Sequence, residues 1–397
     1  MLHTENIFGK DKMKLLARHI VVNEFGKELY LYKSQEEFVS ISADSRKHLN
    51  IIIVGSDDLL LYVARQIVLL CHFPNFNDDS GQNRSVMTFI VPDKNKLDDT
   101  IEDFSKLTSK LLTLGALWKS YIIGKDFISR EGRKSNLEYS FLDFEFRFIG
   151  LDNISIDDYF AKNDFGGEDV VTSIIYADEK FGKAVNNLSR VCDDRRIFFL
   201  DKQVLEKEVS EGVDVRCAKL VNALYDIGSG LREIKDIYEA KQYRLSLAVL
   251  CKYTRITRID EMWNRKDIGD RLSSLLCADC FDVKLNTLRY AKGRNKKKRD
   301  AELIDENLYL LAKTEHARWN IEKFITGFSP YSKEQLYEDE ILYGDERRVA
   351  RKRLKKQKVH INLCSYLQLK RIDPESFKYD CFLSLAMDEI IKKSKKM

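Results

Sequence analysis

Proline is scarce in this chain: there are four in 397 residues, Pro74, Pro92, Pro330 and Pro374. Each falls where a loop or the end of an element is expected. No apolar run reaches the roughly 18 residues of a membrane span. The longest, around Leu59 to Phe73, is interrupted by Arg65 and Gln66. Residues 1–11 are polar and carry no signal-peptide core, so a cytoplasmic location is expected. No Gly/Ser linker and no internal repeat is present. Only six histidines occur, and no H-E-x-x-H spacing suggests a metal helix. No serine or cysteine stands beside a base with an orienting third group, so a nucleophilic triad is not legible. The eight cysteines are scattered. The one C-x-x-C, Cys277 and Cys280, lacks the second ligand pair of a zinc site. It also falls within a helical stretch and not at a helix start after a strand. Both are read as core thiols.

What is present bounds the class. Hydrophobic residues make up 44% and charged residues 33%, with a mean hydropathy of −0.37. Such a chain is soluble, with enough apolar matter for two or three domains. Net charge is +4, but the basic residues cluster. Lys292 to Arg299 holds six in eight, and Arg347 to Lys358 holds eight in twelve. No aromatic residue interleaves within either run, so a stacking platform for single strands is not indicated. Nucleic acid is not the expected partner. Solvated faces explain the runs more simply.

Along the chain, Arg18 to Ile41 reads as short strands or a hairpin around Gly26. Asn50 to Gly55 is a buried strand, Ile51-Ile52-Ile53-Val54, closed by glycine, and a helix follows over Asp58 to His72. Val86 to Val91 is a second strand, and Thr100 to Trp118 is helical. Phe144, Phe146 and Phe148 alternate with charged residues at the strand period. Val170 to Tyr176 is a fourth strand, a helix runs on through Cys192, and Ile197 to Leu200 is a fifth strand. Strands alternating with helices predict an α/β domain with a mostly parallel sheet. From Val204 to about Tyr290 the pattern is helical. The predicted units are 1–48, N-terminal strands or a hairpin; 49–202, a Rossmann-like domain; 203–300, a helical connector; and 301–397, a small, mainly α domain.

The strand–glycine–helix junction Val54-Gly55-Ser56-Asp57-Asp58 is where a Rossmann domain binds pyrophosphate at a helix N-terminus. Of the three fingerprint glycines only Gly55 is present. Asp57 places negative charge where phosphate would approach. The nearest match to a ribose-reading acid is Asp93. The domain resembles the TrkA-N type of Rossmann domain. That resemblance implies nucleotide binding through Gly55, Ser56, Asp57 and Asp93, and a possible homodimer. The decayed loop points instead to a scaffold or dimer platform. In the connector, Arg271 either reaches an anionic ligand or pairs with Asp267 or Asp270, and Trp263 is expected to anchor the core between domains.

The most informative stretch is Glu315-His316-Ala317-Arg318-Trp319-Asn320-Ile321-Glu322-Lys323, followed by Gly327-Phe328. Residues three and four apart share a helix face. Glu315, Trp319 and Glu322 lie on one face, and His316, Asn320 and Lys323 on the next. An aromatic plate beside donors and acceptors suits a pocket for a flat polar ligand. An amphipathic core helix has the same spacing. The stretch resembles the start of the ryanodine-receptor repeat (RyR) domain, whose first helix reads E-H-x-x-W before G-W or G-Y. A second block of that family matches Lys358-Val359-His360-Ile361-Asn362-Leu363-Cys364-Ser365-Tyr366, followed by Tyr379-Asp380. Two departures stand out. Ser365 replaces the usual proline, and a charged insertion, about Ser332 to Gln357, separates the blocks.

The resemblance implies a regulatory protein that senses a small anionic ligand, a nucleotide or a nucleotide-derived signal. The residues it points to are His316, Arg318, Trp319, Lys323, Lys358, His360, Asn362, Tyr379 and Asp380. Two alternatives stand beside it. One is an NAD- or nucleotide-dependent enzyme using the Rossmann-like domain. The other is a regulatory subunit of a transporter or an antiviral defence system.

Overall fold

A computed structural model describes the chain except for residues 1–3, 6, 10, 35–36, 128, 135–138, 164–166, 188–195, 209–211, 229–255 and 295–296. Seven strands form the central sheet: β1 (His48–Val54), β2 (Ser85–Val91), β3 (Leu117–Ile123), β4 (Ser129–Lys134), β5 (Phe144–Leu151), β6 (Val170–Tyr176) and β7 (Ile197–Phe199). Their order is β7-β6-β1-β2-β5-β3-β4. Every neighbouring pair is parallel except β3–β4. The fold is therefore α/β with a mostly parallel sheet, as the strand–helix alternation predicts. One detail differs from the dinucleotide-binding order, in which the third strand pairs directly with the second. Here β5 lies between β2 and β3.

Side chains alternate across a strand, and β1 shows the consequence. Ile51 and Ile53 enter the large core on one face, while Ile52 and Val54 enter a smaller core on the other. The smaller core is covered by α4 (Ile156–Lys162), through Tyr159 and Phe160. The larger face carries α2 (Asp58–Leu70) and α3 (Leu97–Thr108). Nearly every residue of α2 is buried. A helix that is apolar all round needs cover on all sides. The sheet supplies one side, and α1 (Lys12–His19), α6 (Ile268–Arg289) and α7 (Leu308–Ile325) supply the rest.

Three expectations are corrected. Lys12–His19 is a helix and leads into helical turns through Leu29; among the described residues of 18–41, Tyr32–Ser34 and Glu37–Val39 pair as strands. The helix expected to run to Trp118 stops at Thr108, turns over Leu111–Gly115 and becomes β3. The boundary near residue 300 does not separate two cores. Leu276, Cys280, Ile321, Phe324 and Leu363 share one apolar cluster with the sheet. The tail of the helix expected through Cys192, and part of the connector helix, lie outside the described residues.

The C-terminal region adds α8 (Gly344–Lys356), α9 (Tyr366–Ile372) and α10 (Pro374–Ser394). A two-residue parallel pair, β8 (Ser329–Pro330) with β9 (Val359–His360), brackets the charged insertion. The chain therefore leaves and returns at one place, and the segments on either side of the insertion meet. Ser365 caps α9 in a box with Gln368, so the missing proline is replaced by a standard helix start. Upstream, α5 (Arg216–Gly228) packs against α6 and α10.

Candidate functional site

A cleft of about 500 Å3 opens between α5, α6, α7, α8, β9 and α10. One wall begins on α7. Trp319 is half-buried there, and its ring meets that of His360 edge-on at 5.0 Å between centroids. His316 stacks behind it at 5.9 Å. The helix places these rings three residues apart on one side, and β9 brings His360 against them.

Behind the rings is a buried chain of charge. Lys284 on α6 pairs with Glu315, which also accepts from Arg318; Arg318 bonds Glu322 at 2.7 Å, and Lys323 bonds Glu322 at 2.8 Å. Ser273 of α6 donates to Glu322 at 2.8 Å. Burial alone would raise the Glu315 carboxyl, but Arg318 and Lys284 hold it down at about 2. Glu322 is likewise lowered against its own burial by Lys323 and Arg318. Arg318 is only 1% exposed, and its charge is spent inside the protein. It fixes the wall more than it offers a free cation.

His316 is engaged at both nitrogens: Nε2 donates to the Cys364 carbonyl at 3.0 Å, and Nδ1 lies 3.4 Å from Asp380. Burial raises the Asp380 carboxyl, and His316 only partly offsets it. His360 differs. Burial first, then Lys355, Lys323, Arg351 and His316, push its imidazole down to about 3. Its Nδ1 accepts from the Asn362 backbone N–H at 3.2 Å, so the neutral ring carries its proton on Nε2.

A second part of the lining was not legible in the sequence. It comprises Asn222 and Tyr225 from α5, Lys266, and Asp270, Ser273 and Ser274 from α6. A third, basic side comes from α8, with Arg351, Lys352 and Lys355. Arg351 is held by Asp339 at 2.7 Å. Lys352 and Lys355 have no carboxylate partner among the described residues. Their spacing within the basic run Arg347–Lys358 was the only signal of this side, since i and i+3 share a helix face.

Of the nine residues singled out in the C-terminal region, the structure brings eight to this cleft: His316, Arg318, Trp319, Lys323, His360, Asn362, Tyr379 and Asp380. Lys358 is exposed outside it, its Nζ 4.5 Å over the Phe328 ring. Tyr379 and Asp380 sit inside α10.

The strand-end loop is arranged differently. Gly55 takes φ +119°, and a Cβ there would meet Leu60 at 3.1 Å. Asp57 accepts from the Leu59 N–H at 2.8 Å and caps α2, so one of the donors a phosphate would seek is already met by a carboxylate. Ser56 is half-buried between them. Asp93 accepts from the Asn95 N–H at 2.9 Å, and Asp178 caps the turn after β6 in the same way. Arg271 pairs with neither Asp267 nor Asp270; it donates to the carbonyls of Lys266 and Asn264. Asp267 instead caps α6. Trp263 is fully buried and donates to Glu5 at 2.7 Å. Cys277 and Cys280 are both buried on α6. Among the described residues no helix is long and apolar enough to cross a membrane, and no cluster of three metal-ligating side chains occurs.

No protein-family model, no curated protein and no solved structure matches this chain.

Proposed function

We propose that this chain is a regulatory sensor whose cleft between α5, α6, α7 and α8 binds a small anionic ligand, a nucleotide or a nucleotide-derived signal. One observation carries the reading. The edge-on pair Trp319–His360 lines the same 500 Å3 cleft as the unpaired cations Lys352 and Lys355. A flat ring and a nearby pair of free cations suit a base joined to a charged tail. The resemblance of the two sequence blocks to RyR modules agrees with this reading. Two of the acidic side chains lining the cleft are committed elsewhere, Glu315 to Lys284 and Arg318 and Asp380 to His316, which favours binding over catalysis. The α/β sheet then acts as a scaffold, since Asp57 already occupies the helix end that a dinucleotide would use.

Titration calorimetry with a panel of nucleotides and cyclic nucleotides tests this on the wild type and on Trp319→Ala. At least one anionic nucleotide should bind. The substitution should weaken it by about 1–3 kcal/mol, the usual worth of a base–aromatic stack. Circular dichroism establishes that the variant is folded. If nothing in the panel binds, or the folded variant binds equally well, the assignment is wrong.

A further inference from the structure

Two side-chain amides in the cleft wall are unsatisfied. Asn222 on α5 and Asn362 in the turn after β9 are 4% and 8% exposed. Both line the cleft, and both hold an amide oxygen away from water with no hydrogen-bond partner. Buried polar atoms nearly always have a partner. Two orphans of one kind in one cleft, supplied by elements far apart in sequence, point to a ligand. An amide oxygen is an acceptor only, so the missing partners are N–H or O–H donors. The imidazole of His360 does not serve Asn362: its Nδ1 accepts from that residue's own N–H, and no donor reaches the amide oxygen.

The ligand must therefore bring donors to the α5 wall and to the turn after β9, and negative charge to the α8 side, where Lys352 and Lys355 have no carboxylate partner among the described residues. Among nucleotides, an exocyclic amino group supplies such donors. Where it adjoins a ring nitrogen, it also matches the two-pronged donor–acceptor edge of an asparagine amide. Deamination replaces that amino group with a keto oxygen, which would face the orphan acceptor as a second acceptor. Resting on the nucleotide reading above, we propose that the cleft selects a phosphorylated nucleotide whose base bears an exocyclic amino group. In this arrangement Asn362 and Asn222 read the amino edge, Trp319 supports the base, and Lys352 and Lys355 hold the phosphates.

Matched deamination pairs of equal charge test this: ADP against IDP, and CDP against UDP, titrated into the full chain. In whichever pair binds, the amino member should bind at least about tenfold tighter, within the range one two-pronged amide–base contact gives. Asn362→Ala should bring the two members of that pair together, with Asn222→Ala as the second variant and circular dichroism to establish folding. Equal affinity, or preference for the keto member, overturns the amino-edge inference and leaves the nucleotide reading standing. If none of the four binds and the wider nucleotide panel is also silent, both fail.

Discussion

Glu315 offers the sharpest test of how the cleft wall is held. Its carboxylate sits between Lys284 and Arg318, and all three side chains are essentially buried, at 2%, 2% and 1% exposure. Glu315→Gln preserves shape and removes the charge, leaving the ammonium of Lys284 facing a neutral amide. Removing one partner of a buried pair costs about 3–5 kcal/mol. A second route gives a similar size. The carboxyl falls from 4.5 to about 2 on folding, which corresponds to about 3 kcal/mol of linked stability. The sign follows from the direction of the shift. A lowered carboxyl stabilises the fold fully above its unfolded value, and the contribution is lost as pH falls through 4.5 towards about 2. Urea unfolding of wild type and variant, followed by circular dichroism, should show a gap of about 3 kcal/mol at pH 7. By pH 3 the gap should shrink to roughly half. A loss below about 1 kcal/mol at pH 7, or a gap as large at pH 3 as at pH 7, would refute the network's role.

Three further outcomes are expected. A Cβ at Gly115 would meet Leu142 and Phe324, each at 2.9 Å, so Gly115→Ala should cost about 1–3 kcal/mol in urea unfolding; no loss would mean that α7 and the sheet do not share a core. Replacing Lys352 and Lys355 by alanine should weaken nucleotide binding by roughly 0.5–1 kcal/mol each and flatten its salt dependence, with the urea midpoint unchanged; unaltered affinity would remove these lysines from the site. The third concerns His360, which folds with its imidazole lowered from 6.5 to about 3. The unfolded chain takes up a proton that the folded one refuses, so stability should fall as pH drops below 6.5. His360→Gln should flatten that acid limb between pH 7 and 4.5, and an unchanged limb would contradict the shift.

The strands that are mostly apolar were plain in the sequence, because burial on both faces leaves a composition signature. β1, β2 and β6 are of this kind. β3 was not, since Leu117 follows the helical pattern of Thr100–Thr108 with only Gly115 between as punctuation. The first helix was hidden because Lys12–His19 precedes the stretch around Gly26 on which the hairpin expectation rested. At the cleft, Trp319 and His360 were found through local spacing and the RyR resemblance, which are short-range signals. Asn222, Ser273 and Ser274 had none. They come to the site through the packing of α5 and α6 against α7 and α10, and no local pattern encodes that. Asp57 shows the converse: its acidic character was read as hostile to phosphate, and its actual task is to cap α2.

Helix α8 buries none of its side chains. It is tethered by Arg347 and Arg351 to Asp339, and by Arg351 towards Asp373 at 3.9 Å. A panel fastened by charge, on a body fastened by oil, answers to a different dial. Its anchoring carboxylate is buried while the two guanidinium groups are partly open to solvent, so added salt screens the tether in part and leaves the apolar interior untouched. Ionic strength therefore acts first on this side of the cleft.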